Sequence, residues 1–273
     1  MPSRLGIHTA ARRVALAVLG VISCCWLSLY LDSVHQRRRA ERLIAELKSF
    51  PFSTAGFLEV RGLANNYGGT TGQHFPLFPL QPPGLPMTDS QGQVQMPLSP
   101  TGLNCTPQDC TFEIWIRPHP SGVSLSYRAA VLLLSSLAYS GVRPWVVYAR
   151  FEIKNGRLAE SRTSVVQVRR ARIGAYEGVF PLDYEVKSRP LSPYDAGSGY
   201  GVGVPHVTGW PTDILSVRVA QTANAPIRRA FDIDIRCFTA VWRSCRGFGE
   251  LAPSAWADLQ ARVDTQMKDK PAR

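Results

Sequence analysis

The chain has 273 residues, of which 45% are hydrophobic and 19% charged, and its formal net charge is +11. That balance excludes a disordered or fibrous chain, and the length suffices for one large domain or two small ones. Residues 1–48 carry eight Lys/Arg against three acids and the remainder carries 23 against 17, a split of +5 and +6. A surplus so spread does not single out nucleic acid and fits equally well a domain beside anionic lipid or cell-envelope polymer.

After a short basic tail, 1–13, residues 14–31 read VALAVLGVISCCWLSLYL, without a charge from Val14 to Leu31. At a rise of about 1.5 Å per residue the run spans about 27 Å, close to the hydrocarbon thickness of a bilayer. Arg12 and Arg13 bound it on one side, and Asp32 and then Arg37, Arg38 and Arg39 on the other. Trp26 and Tyr30 stand near its second end, where aromatic rings favour the headgroup zone. A cleaved signal peptide is the plain alternative, but no small-x-small cleavage site follows Leu31. A second alternative is a lipoprotein lipidated at Cys24, since Val21-Ile22-Ser23-Cys24 has the form of a lipobox. The chain stays apolar through Cys25, Trp26 and Leu27. A membrane helix accounts for those residues and a lipid anchor does not.

Two signals disagree on orientation. More positive charges follow the run than precede it, which places the C-terminus in the cytoplasm. The cysteines argue for export. Cys105 and Cys110 form one close pair and Cys237 and Cys245 another, as in short-loop disulfides made in an oxidising compartment. Zinc is the rival for these four, although the Cys-x4-Cys and Cys-x7-Cys spacings lack the two-residue knuckle. Long domains translocate largely regardless of flanking charge, which favours the exported side.

Beyond the run, Ala40, Leu43, Ile44 and Leu47 recur at helical spacing and predict a stalk over 33–48, ended by Pro51. Ser53 or Thr54 is expected to cap a second helix over 55–66, stopped by Gly68-Gly69. Residues 67–104 hold seven prolines among Gly and Gln and no Lys or Arg, so a long extended loop is expected. Strands then follow. Phe112, Ile114 and Ile116 alternate with Glu113, Trp115 and Arg117, and Trp145, Val147, Ala149, Phe151 and Ile153 take every second position up to Asn155-Gly156, a hairpin signal. The apolar run 129–134 reads as a buried helix. Further strands are expected at 178–187, 215–222 and 227–238, and a terminal helix at 253–264 with Trp256, Leu259 and Val263 on one face.

Several short motifs carry a resemblance: Arg39-Ala-Glu-Arg-Leu-Ile-Ala-Glu-Leu47, Ala55-Gly-Phe-Leu-Glu-Val60, the Cys-x4-Cys before Phe112, and a late Cys followed by Glu250-Leu-Ala-Pro-Ser-Ala-Trp256. The layout resembles uncharacterised bacterial single-pass envelope proteins. What this implies is a topology; it carries no activity with it.

No catalytic, metal or cofactor motif emerges. His8, His35, His74, His119 and His206 are dispersed, and none stands at ligand spacing to another. Asp232 and Asp234 would share one side of the strand expected at 227–238 and pair with Arg228, Arg229 and Arg236. The glycine-rich 197–203 lacks the lysine and following helix of a phosphate loop and reads as a mobile surface loop. Arg169, Arg170 and Arg172 form the densest basic cluster of the domain and, with Arg37, Arg38 and Arg39, are the candidates for touching an anionic surface.

The fold class expected is therefore α+β: a transmembrane anchor at 14–31, a helical stalk and second helix over 32–66, the Pro/Gly/Gln-rich loop at 67–104, a mainly antiparallel sheet domain with flanking helices at 105–264, and a basic tail at 265–273. The function expected is that of a non-enzymatic, membrane-anchored extracytoplasmic domain that binds or braces another envelope component or an anionic polymer. The rival is an envelope hydrolase whose site assembles only in the fold. No cofactor, metal or nucleic acid is expected.

Overall fold

The computed structural model describes residues 4–71, 87–88, 94–95, 105–118, 143, 145–173, 176–190, 200–203, 213–241 and 243–268, with backbone alone at 4–11, 87–88, 94–95, 168–173, 176–181, 200–203, 213, 266 and 268. Expectations for 129–134, for 197–199, and for His74, His119 and His206 lie outside the described residues.

The segments expected as anchor and stalk are a single helix. α1 (Arg4–Ser49) runs 46 residues without a break, about 70 Å. Its two halves differ by sequence alone. Residues 14–31 are apolar all round, and Val14, Leu16, Leu19, Val21, Ile22 and Leu31 are exposed. From Ser33 the apolar positions narrow to one stripe, and Ala40, Leu43 and Leu47 are wholly buried in the domain core. α1 is long and apolar enough near the N-terminus to cross a membrane. The chain then turns through Phe50 and Phe52 into α2 (Phe57–Asn66). The cap of α2 is Gly56, not Ser53 or Thr54: the Glu59 carboxylate accepts from the Gly56 N–H at 3.0 Å, closing the first turn from within.

Among the described residues, seven strands form one sheet in the order β1 (Thr70–Thr71), β4 (Cys110–Ile116), β5 (Trp145–Lys154), β6 (Arg157–Ile173), β7 (Tyr176–Arg189), β9 (Asp213–Ala220), β8 (Tyr200–Gly203). All neighbours are antiparallel except β7 and β9. A separate short pair, β2 (Met87–Thr88) with β3 (Val94–Gln95), interrupts the loop that was expected to lack regular structure. The Asn155-Gly156 turn joins β5 to β6 with φ of 54° and 74°, the left-handed pair that matches strand twist. A bulge at Ala159 follows, where the register shifts, and the freed Ala159 carbonyl accepts from Gln221 Nε2 at 3.3 Å. Gly69 sits where a Cβ would lie 2.9 Å from the Glu113 carbonyl, so β1 can approach β4 only because it lacks one.

The strand expected over 227–238 does not form. Residues Asn224–Ala230 are a helix, α3, and Arg236–Thr239 a 3-10 turn. Pro226 falls in the first turn, where no amide bond is lost, and Ile227, Ala230 and Phe231 bury together at helical spacing. The glycine-rich segment also departs from expectation, for Tyr200–Gly203 pairs with β9 as the edge strand β8. A short turn, α4 (Phe248–Leu251), precedes α5 (Pro253–Lys268). One face of the sheet carries the main core, which gathers α1 from Ala40 onward, α2, α3, α4 and the start of α5. The fold is α+β, with a mainly antiparallel sheet, as the patterning predicts.

Candidate functional site

Three regions concentrate the polar chemistry: the junction of α1 with the sheet, the two cysteine pairs, and the sheet face opposite the core.

At the junction, Trp145 opens β5 and its Nε1 donates to Ser33 Oγ at 3.0 Å, both residues buried. The Trp145 ring packs on Phe238 at 5.5 Å. Arg37, Arg38 and Arg39 of α1 are dispersed around the helix, because successive residues stand about 100° apart. Arg37 is half-buried; it pairs with Glu41 at 3.5 Å and its Nη1 donates to the Arg236 carbonyl at 3.4 Å. Arg39 lies beside Gly68, and Arg38 is exposed. They do not present one common face.

Both cysteine pairs are disulfides: Cys105–Cys110 and Cys237–Cys245. They sit at opposite ends of the sheet. Cys110 is paired with Ile153 beside the Asn155-Gly156 turn, and the Gln108 carbonyl accepts from the Gly156 N–H at 2.9 Å. The second bridge lies near Trp145, where Gln167, fully buried, accepts from the Cys245 N–H at 3.0 Å and donates to the Cys237 carbonyl at 3.5 Å. Gln167 thus clamps the disulfide loop to the sheet, a role no local signal announces. Cys24 and Cys25 are free and exposed on α1. Among the described residues no group of three His, Cys, Asp or Glu is arranged to hold a metal.

Asp232 and Asp234, freed from the expected strand, serve the helices. Asp232 accepts from Ser254 Oγ at 2.6 Å, which ties it to the first turn of α5, and pairs with Lys48 of α1 at 3.5 Å. Asp234 is clamped by the Arg236 guanidinium, whose hydrogen bonds hold its carboxyl below the usual carboxylate range. Arg169, Arg170 and Arg172 lie in β6, their backbones paired with Phe180, Val179 and Glu177 of β7.

The opposite sheet face holds acids that sequence reading passed over. Glu113 is 1% exposed; Tyr148 donates to its Oε1 at 3.0 Å and Trp115 Nε1 to its Oε2 at 3.4 Å. Burial first, and then the Glu113 carboxylate, push the Tyr148 phenol above its ordinary value. Glu185 pairs with Arg162 and with Lys187 at 3.1 Å, and accepts from Ser216 Oγ at 3.2 Å. Asp183, one step along the same side of β7, has Oδ1 buried without a hydrogen-bond partner. Burial and the neighbouring Glu185 charge push its carboxyl up to about 7, against the pull of Arg162 and Lys187. Alternation in Phe112-Glu113-Ile114 and Leu182-Asp183-Tyr184-Glu185 marks these acids as lying off the core. Only the tertiary structure shows that Glu113 and Glu185 of this second face are buried too. The arrangement gives a charge network with one proton-exchanging carboxyl near neutrality. No protein-family model, curated protein or solved structure matches this chain.

Proposed function

We propose that the protein is a membrane-anchored extracytoplasmic domain that binds or braces another component of the cell envelope. One observation carries this reading: α1 is a single helix whose first half is apolar and exposed and whose second half is part of the domain core. A domain built this way has no flexible tether, so a bilayer holding residues 14–31 would hold the sheet directly at its surface. Rigid presentation suits bracing or capture at a fixed height. The two disulfides support the exported side, since such bridges persist in an oxidising compartment. The topology agrees with the resemblance to single-pass envelope proteins.

The test is a membrane fraction washed with alkaline carbonate, followed by protease added from the extracytoplasmic side. The full-length chain is expected to stay in the pellet and to lose its domain to the protease. Release at full size defeats the integral anchor, and full protection defeats the exported orientation. Cys24→Ala is expected to leave attachment intact, because Cys24 lies inside the uninterrupted helix. Detachment of that variant would establish lipidation in place of a spanning helix. Cross-linking of the intact cells, with the partner identified by mass spectrometry, then names what is braced.

A further inference from the structure

Contacts at both ends fix how α1 lies on the sheet. Ser33 meets Trp145 at the start of β5. Seventeen residues on, the Phe50 ring lies 6.0 Å from Phe151, and Ala55 accepts from the Leu158 N–H at 3.0 Å near the β5–β6 turn. Going back along α1 toward Leu31 is therefore going toward the start of β5 and, because β6 is antiparallel, toward the end of β6.

β5 stops at Trp145, which is paired with Gln167. β6 does not stop there. It continues to Ile173, about 20 Å further at strand rise. β7 returns from Tyr176 and gains β9 as a neighbour only at Leu182. Residues 168–173 and 176–181 thus form a two-stranded arm, paired from Val168↔Pro181 to Ile173↔Tyr176 and, among the described strands, with nothing else. Among the described residues, the arm runs past the start of β5, in the direction in which the apolar half of α1 runs. Such a length, laid along α1 from Ser33, corresponds to about 13 helical residues, so even a tilted arm reaches the level of the apolar run.

An isolated two-stranded ribbon is marginal in water, and this one has a distinctive composition. It holds Arg169, Arg170 and Arg172 against Glu177 alone, together with Ile173, Tyr176, Val179 and Phe180. Arg172 and Glu177 are register partners, which leaves the charges of Arg169 and Arg170 without an acid in the arm. Arginine beside aromatic and aliphatic residues is the chemistry that settles among anionic headgroups. We propose that this arm, residues 168–173 with 176–181, is a second membrane contact, lying on anionic phospholipid headgroups beside α1. The proposal rests on the reading of α1 as the membrane anchor. Two attachments fix the rotation of the domain about α1, which one helix alone leaves free.

Hydrogen exchange of the full-length protein in lipid nanodiscs tests it, with phosphatidylcholine alone compared with phosphatidylcholine plus phosphatidylglycerol. Amides of 168–173 and 176–181 are expected to exchange more slowly in the anionic discs, while those of β4 and β5 do not change. The triple variant Arg169→Ser, Arg170→Ser, Arg172→Ser is expected to lose that protection, by about five-fold for each charge removed that had no acid to face. A triple Arg→Lys variant keeps it, and unchanged β4 and β5 exchange certifies that each variant is folded. Equal exchange in both lipids, or protection that survives the serine variant, overturns the arm contact. Protection reproduced by inorganic phosphate in zwitterionic discs also overturns it, in favour of a free-anion site. A chain that fails to enter discs of either composition defeats the anchor reading instead.

Discussion

Both faces of the sheet bury side chains, the second only in part, and they are built from opposite chemistry. On the first, Phe112, Ile114, Val147, Phe151, Val165, Leu182, Tyr184 and Val217 belong to the core shared with the helices, and the buried polar side chains Ser161, Thr163, Gln167 and Ser188 on it carry no charge. On the second, Glu113, Arg162, Asp183, Glu185 and Lys187 share the face with a small apolar patch of Val146, Tyr148 and Val166. Apolar burial is non-directional, so the first face sets stability through volume and area. Buried charge gains little net energy but depends on partners and pH. The first face should therefore respond to cavities and the second to protons.

Phe151→Ala tests the first half of that statement. The ring is fully buried and meets Phe50. Its loss is expected to cost about 4 kcal/mol, through the transfer of the ring and the cavity it leaves. Urea unfolding of the detergent-solubilised protein measures it, and a cost independent of pH between 4 and 8 is expected. Asp183 tests the second half. Its folded carboxyl stands at about 7 against an ordinary 3.8, so the folded state holds its proton where the unfolded state has lost it. Stability from this group is whole below pH 3.8, falls as pH rises through the window, and is gone above about 7. The gap corresponds to at most about 4 kcal/mol. Asp183→Asn should flatten the decline; an unchanged slope between pH 4 and 7 would remove Asp183 from the account.

Much of this architecture is legible in the residues, and what is not has physical causes. Alternation in 112–116 and 145–153, the Asn155-Gly156 turn, and the stripe Ala40, Leu43, Ile44, Leu47 are local signals, and each produced its element. The segment 227–238 misleads because two periods overlap in it. Phe231, Ile233 and Ile235 alternate like a strand, while Ile227, Ala230 and Phe231 repeat like a helix, and the helix wins where packing against Tyr184 and the core is available. The acids of the second face were invisible for another reason. A strand alternating Leu182-Asp183-Tyr184-Glu185 looks the same whether its polar side meets water or a covering segment. Burial of that side is a tertiary property. The arm at 168–181 combines both cases, since the arginine cluster stands out in the sequence but its direction relative to α1 depends on the β5–β6 register.

Glu185→Gln sharpens the contrast at lower amplitude. It removes the carboxylate that pairs with Arg162 and Lys187, both partly open to solvent, so a loss of about 2 kcal/mol is expected, below that of a fully buried pair. The same change withdraws the negative charge that helps to raise Asp183. The midpoint of the pH-dependent loss should therefore move below 7. A variant that loses stability without moving the midpoint would show that burial alone sets the Asp183 carboxyl.

Tyr148→Phe is expected to have the smallest effect and separates hydrogen bonding from packing on the second face. The ring remains, and with it the contact to Trp115 at a centroid distance of 4.3 Å. Only the hydroxyl that donates to Glu113 Oε1 at 3.0 Å is lost. Glu113 keeps the Trp115 Nε1 donor on its other oxygen, so the carboxylate is half satisfied, and a cost of about 1.5 kcal/mol follows for a charged acceptor. A double-mutant cycle with Glu113→Leu, which leaves no acceptor for the Tyr148 hydroxyl, isolates the pair and should return about 1 kcal/mol of coupling. The pH dependence supplies an independent check. The folded phenol stands above its ordinary value of 10.0, so the native protein should lose stability as pH rises past 10, where the unfolded tyrosine ionises and the folded one does not. The Phe variant has no such proton to hold and should lose less over the same range. Zero coupling together with parallel alkaline profiles would mean that Tyr148 serves this face by its ring alone.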